Sequence, residues 1–133
     1  MTPGPKQYQK YKQTNVMTAS RGQILIMLYE AVIRNIKKAM DAIDKNDLVA
    51  KGEAIVKAHE ILNELANTLD FEVGGEISRN LERLYNFQIE QLVKANIENS
   101  KVPLEAAKKT LETLLSGWRE AVKNFEKTGG PKP

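Results

Sequence analysis

Few residues in this chain of 133 could carry covalent or metal chemistry, and their spacing argues against it. The single histidine, His59, follows Ala58 and has Val56 three positions before it. Inward-facing metal sites in helical bundles need a Glu-x-x-His pair on each of two helices, with further carboxylates, and even half of that motif is missing. His59 therefore reads as a residue at the edge of a helical stripe, and no metal or other cofactor is expected. With no cysteine, thiolate chemistry, disulfides and Cys-based zinc sites drop out together. Ser20, Ser78, Ser100 and Ser116 stand in no nucleophile elbow and beside no sequence-local base. Asp70, Glu72 and Glu76 cluster around Gly74-Gly75. Carboxylates at helix starts accept orphan backbone N–H groups and face the positive end of the dipole, so capping explains this cluster without acid–base catalysis. Gly74-Gly75 lacks the preceding strand and the glycine or Lys-Ser/Thr pattern of a phosphate cradle and is read as a turn. No catalytic residues are assigned, and the chain is not expected to be an enzyme.

The elements around these residues are helical. Ser20-x-x-Gln23 forms a capping box ahead of the apolar run Ile24 to Tyr29, and the first helix continues through Val32, Ile36, Ala39 and Ile43. Asp47 is placed as the N-cap of a second helix whose stripe is Leu48, Ile55, Leu62 and Leu69, interleaved with Ala58, Leu65 and one polar exception, Lys51. After a Gly-Gly hinge a third helix gives Ile77, Leu81, Leu84, Gln88, Leu92 and Ala95 as its inward row, and Asn96 to Ser100 read as a loop. Pro103 suits the first turn of a fourth helix, with Leu104, Leu111, Trp118 and Phe125 in one row and Ala107, Leu114 and Ala121 in another. Short connections between such helices predict an all-α, antiparallel four-helix bundle. The expected organisation is a flexible N-terminal segment over 1–17, the bundle over 18–127 and a C-terminal tail over 128–133.

Residues 1–21 carry Lys6, Lys10, Lys12 and Arg21 with no acid, whereas the rest of the chain holds 16 basic and 17 acidic residues. The basic excess thus sits in a polar tail and not on a folded face, which argues against nucleic-acid binding. No stretch approaches the ~20 apolar residues of a membrane span, and no charged-then-apolar leader opens the chain, so a soluble, cytoplasmic protein without membrane insertion is expected.

Each central helix carries more apolar residues than one stripe. A second row runs Ala54, Ala58, Ile61, Leu65 on helix two, and Leu81, Tyr85, Ile89, Leu92 on helix three, with Phe87 and Val93 elsewhere on its circumference. On spacing alone, these rows either complete the core of a slightly thick bundle or border a groove between the two helices, with Ala54 and Ala58 leaving room for an incoming side chain. Ile24 to Tyr29, including Met27, is apolar all round and needs a cover of some kind.

The order of motifs resembles the FliS family of flagellin export chaperones over nearly the whole chain. It is carried by Tyr8-x-x-Tyr11, Val16-x-Thr18-Ala19-Ser20, Leu25-Ile26-x-Leu28-Tyr29, Lys57-Ala58, Ile61-Leu62, Leu69-Asp70 before Gly-Gly-Glu-Ile, Asn80-Leu81, Leu84-Tyr85, Leu92-x-x-Ala95-Asn96 and Trp118. Arg21 stands where most relatives have a proline. The resemblance implies a cytosolic chaperone that binds the disordered C-terminal segment of flagellin as an amphipathic helix, prevents premature polymerisation and docks, when loaded, at a component of the flagellar export gate. It implies that Tyr8, Tyr11, Val16, Ile24, Met27 and the second rows form or guard the binding surface. The basic, apolar-dotted character of the N-terminal tail adds the expectation that it occupies the empty groove and swings aside for the partner. With no nucleotide loop, release is expected by handover. An adaptor or regulator docking a different amphipathic helix is the alternative, because a groove does not name its ligand.

Overall fold

The computed structural model describes residues 21–127 as four α-helices: α1 (Arg21–Asp44), α2 (Leu48–Asn67), α3 (Phe71–Glu98) and α4 (Val102–Lys127). Three-residue links join them, too short for anything but antiparallel neighbours. Helix α1 packs against α2 and α4, and α3 packs against the same two, so α1 and α3 face each other across the bundle. The expected all-α four-helix bundle is the architecture found.

Amphipathic spacing builds the core. Val32, Ile36 and Ala39 of α1 meet Ala58, Leu62 and Leu65 of α2, with Leu92 and Ala95 of α3 and Leu104, Ala107 and Leu111 of α4, all fully buried. Each large aliphatic side chain buried this way is worth about 1.5–3 kcal/mol. The diagonal between α1 and α3 is bridged by Tyr29 and Tyr85, whose hydroxyls lie 2.7 Å apart and whose rings meet edge-on at 6.2 Å. Trp118 of α4 makes a second edge contact with Tyr29 at 6.4 Å.

Short polar side chains set the helix ends. Asp47 accepts from the Ala50 N–H at 3.0 Å, as its placement at an N-cap requires. Asp70 accepts from both Glu72 and Val73 N–H groups at 3.0 Å. Asn99 ends α3 in the left-handed region at φ 51°, which asparagine tolerates better than most residues. The apparent misfit Lys51 is buried inside α2, and its Nζ donates to the Asn96 carbonyl at 3.2 Å and to Asn99 Oδ1 at 3.1 Å. A cation thereby meets the negative end of α3 and satisfies one of its orphan carbonyls.

Helix α3 departs from the expectation of a loop followed by a helix. Asp70 caps a full turn, Phe71–Gly74, and the chain then kinks at Gly75, where φ is 50° and ψ is −119°. The Ser78 hydroxyl donates to the Asp70 carbonyl at 2.9 Å and clamps the kink. Because Ser78 turns inward to make that bond, the buried row is Ser78, Tyr85, Gln88, Leu92 and Ala95, and Ile77, expected inside, is 69% exposed. At the far end α3 runs on to Glu98, through most of the expected loop. Leu48, at the first turn of α2, is 62% exposed instead of heading its stripe. On α4 Leu115, adjacent to the expected Leu114, is the fully packed residue, while Ala121 and Phe125 lie exposed. Ser20, and with it the capping box, lies outside the described residues.

Candidate interaction surface on α3

Among the described residues, six of the twelve large apolar side chains that stand exposed belong to α3, which makes its outer face the apolar surface of the bundle. Phe87 stands apart, and the other five fall in two groups. Phe71, Val73 and Ile77 project from the kinked first turns. Val93 and Ile97, with half-buried Ile89, form a row at i, i+4 and i+8 that lines a shallow groove of about 350 Å³, edged by Glu90, Lys94 and Glu98.

The sequence explains why this face holds its position. The opposite side of the same turns carries Leu92 and Ala95, both fully buried, so the groove residues are fixed by the core directly beneath them. At its C-terminal end α3 is tied to α2 by the two Lys51 hydrogen bonds. At its N-terminal end the Asp70 cap and the Ser78 clamp set the direction of the first turn. Glu76 pairs with Arg79 at 3.3 Å and Arg83 at 3.5 Å on the solvent side. Such exposed pairs are worth about 0–1 kcal/mol and leave the apolar row as the feature with binding potential.

Burial raises the pKa of both central tyrosines. For Tyr29 the hydrogen bond to Tyr85 opposes that rise; for Tyr85 the contact with Tyr29 adds to it. Both are held neutral. Trp118 Nε1 and Gln88 Oε1 are buried without a hydrogen-bond partner among the described residues. His59 is half-buried on α2. No group of three or more His, Cys, Asp or Glu side chains is placed to hold a metal ion among the described residues, and no described helix is long and apolar enough to cross a membrane. What the α3 face can do chemically is bury apolar area against a partner.

The residues expected at a binding surface divide sharply. Ala54, Ala58, Ile61, Leu65, Tyr85 and Leu92 are buried in the bundle's own core. Of the two readings that spacing leaves open, these six follow the one in which the second rows complete the core: the alanines let α2 pack closely on its neighbours, and Tyr85 is drawn inward by its bond to Tyr29. Leu81 and Ile24 are half-buried, Met27 is 51% exposed, and Ile89 borders the groove. Tyr8, Tyr11 and Val16 lie outside the described residues. Ile97 was not singled out by the sequence, although its i+8 spacing from Ile89 and i+4 spacing from Val93 is the signal that finds it.

The chain is similar to known proteins over most of its length. The profile of the family described as "Flagellar protein FliS" matches residues 4–125. The chain is 36% identical over 109 residues to the flagellar secretion chaperone FliS of Salmonella typhimurium, covering 81% of each chain. It is 31% identical over 120 residues to that of Bacillus subtilis, covering 90% of this chain and 89% of the relative. With the Campylobacter jejuni chaperone it shares 33% over 117 residues, covering 88% and 91%. A crystal structure described as a flagellar chaperone from bacteria superposes with a TM-score of 0.75 at 24% identity, over 92% of this chain and 99% of that one, a likeness of fold.

Proposed function

The chain belongs to the FliS family of flagellar secretion chaperones, which are not enzymes, and from that premise we propose that its client is the disordered C-terminal segment of flagellin, held as an amphipathic helix on the outer face of α3. The observation that carries this reading is the row of half-buried Ile89 with exposed Val93 and Ile97, an apolar stripe at helical spacing with charged edges on a face that no other described helix covers. A partner helix with apolar residues at i, i+3/i+4 and i+7 meets such a stripe directly. The buried rows act beneath it: Ala54, Ala58, Ile61 and Leu65 on α2, and Tyr85 and Leu92 on α3, fix where α3 stands, while half-buried Leu81 extends the apolar surround. Ile24 and Met27 stand on α1, the helix diagonal to α3, and Tyr8, Tyr11 and Val16 lie outside the described residues, so none of the five is assigned to this face.

Binding holds the segment in the cytoplasm in a form that cannot polymerise. The loaded complex then delivers it to the flagellar export gate, with release by handover. Folding of the client on binding costs ordering entropy, which apolar burial of roughly 1,000–3,000 Å² offsets, leaving nanomolar to micromolar affinity. Calorimetry with the full chain and intact flagellin should give saturable binding with a negative heat-capacity change and little salt dependence. Flagellin lacking its C-terminal segment should give no heat. Retained binding after truncation, or capture of an unrelated amphipathic helix with equal affinity, would favour the adaptor reading.

A further inference from the structure

On the α1/α4 side of the bundle, away from the α3 face, a second groove of about 660 Å³ has a different character. Its floor is Ile33 of α1 and Leu115 of α4, each nearly closed off from solvent, and its walls are charged. All three carboxylates on its walls are already engaged. Glu30 binds Arg119 across the groove at 2.8 Å, Asp41 binds Lys45 at 3.0 Å, and Glu112 binds Lys108 at 3.2 Å. Arg34, Lys37 and Lys38, by contrast, have no hydrogen bond or ion pair among the described residues, although they sit at i, i+3 and i+4 on one face of α1. Like charges at that spacing repel one another and weaken the helix. The fold therefore carries an uncompensated cationic row along an otherwise neutralised trough.

We propose that this trough docks an acidic amphipathic helix of a partner protein, whose carboxylates pair with Arg34, Lys37 and Lys38 while its apolar side rests over Ile33 and Leu115. Charge complementarity selects that occupant. A continuous phosphate backbone is disfavoured because Glu30, Asp41 and Glu112 interrupt the cations at close quarters, whereas a helix places discrete carboxylates every three or four residues and leaves the intervening positions neutral. This site is governed by charge and is salt-sensitive, unlike the apolar α3 face, so a partner docked here leaves the client surface free.

The test is fluorescence anisotropy of the full chain with labelled synthetic helices of about five turns. One carries Glu flanking a Leu stripe, and its control carries Lys at every Glu position. The Glu peptide should bind, and the Lys peptide should not. Affinity should drop about tenfold or more as salt rises from low to well above physiological strength, where the Debye length falls toward a few ångströms. The triple variant Arg34→Glu/Lys37→Glu/Lys38→Glu should lower the peptide's affinity about tenfold or more while leaving helicity by circular dichroism and binding of flagellin unchanged. Equal binding of the two peptides, or undiminished binding by the triple variant, would overturn the proposal. So would a single-stranded oligonucleotide that displaces the Glu peptide and binds more tightly.

Discussion

Lys51 links stability to the placement of α3. Its stem fills space in α2 and its ammonium closes the C-terminal end of α3, so Lys51→Met keeps the packing and deletes the two bonds to Asn96 and Asn99. Asn96 and Asn99 are exposed, so water takes the place of the ammonium and the loss should be the net worth of the bonds, about 0.5–1.5 kcal/mol, read as a lower urea midpoint with unchanged slope. The sequence marks Lys51 as the polar exception in an apolar stripe; its role is not visible there because its partners lie some 45 residues further along the chain. Tyr29 and Tyr85 supply a second residue-level prediction. Both pKa values are raised above the ordinary 10.0, so above about pH 10 the unfolded chain releases protons that the folded chain retains. Stability is therefore unaffected below that pH and falls as pH rises through and beyond it. Melting temperature followed from about pH 8 to 11 should bend downward more steeply for the parent than for Tyr29→Phe/Tyr85→Phe, which removes both ionisable hydroxyls.

At the scale of elements, the kink in α3 decides which side chains face outward. Gly75 adopts φ 50° with ψ −119°, a combination that essentially only glycine reaches without strain, so Gly75→Ala should cost about 1–3 kcal/mol. At Gly74 the constraint is contact: an added Cβ would overlap Ser78 Oγ. Gly74→Ala should destabilise in chemical denaturation, and Ser78→Ala in the same chain should recover part of that loss, less the hydrogen bond to the Asp70 carbonyl. The Gly-Gly break and the Asp70 cap are legible in the sequence because each rests on one or two adjacent residues. The inward residues of the first turns beyond them are not. Ile77 looks like the first inward position on hydropathy, but the Ser78 hydroxyl takes that place through a bond to a carbonyl eight residues back, and Tyr85 is buried beside the expected Leu84; from Gln88 onward the expected row Gln88, Leu92 and Ala95 is the buried one. The same kind of slip separates Leu114 from Leu115 on α4.

For the molecule as a whole, fold class follows from four amphipathic stripes and short links, whereas the division between core and client surface depends on which neighbour covers each stripe. Ala54, Ala58, Ile61 and Leu65 carry the right chemistry for a groove wall, yet they lie against the bundle's own helices. Ile89, Val93 and Ile97 face outward, and there the two roles separate experimentally. Val93→Glu and Ile97→Glu place charge where the native side chains are already 43% and 79% exposed, so stability should change by no more than about 0.5 kcal/mol. On the proposed surface the same carboxylates would have to be desolvated beneath the client's apolar stripe, and each should weaken flagellin binding by about 1.4 kcal/mol or more, a factor of ten. Ala58→Leu should do the reverse, overpacking a fully buried position at about 1–3 kcal/mol of stability. Melting curves and calorimetric affinities on these three variants distinguish a client held on the outside of α3 from one that must pry the bundle open: in the second case Val93→Glu and Ile97→Glu would bind normally, and Ala58→Leu would lose the client while folded.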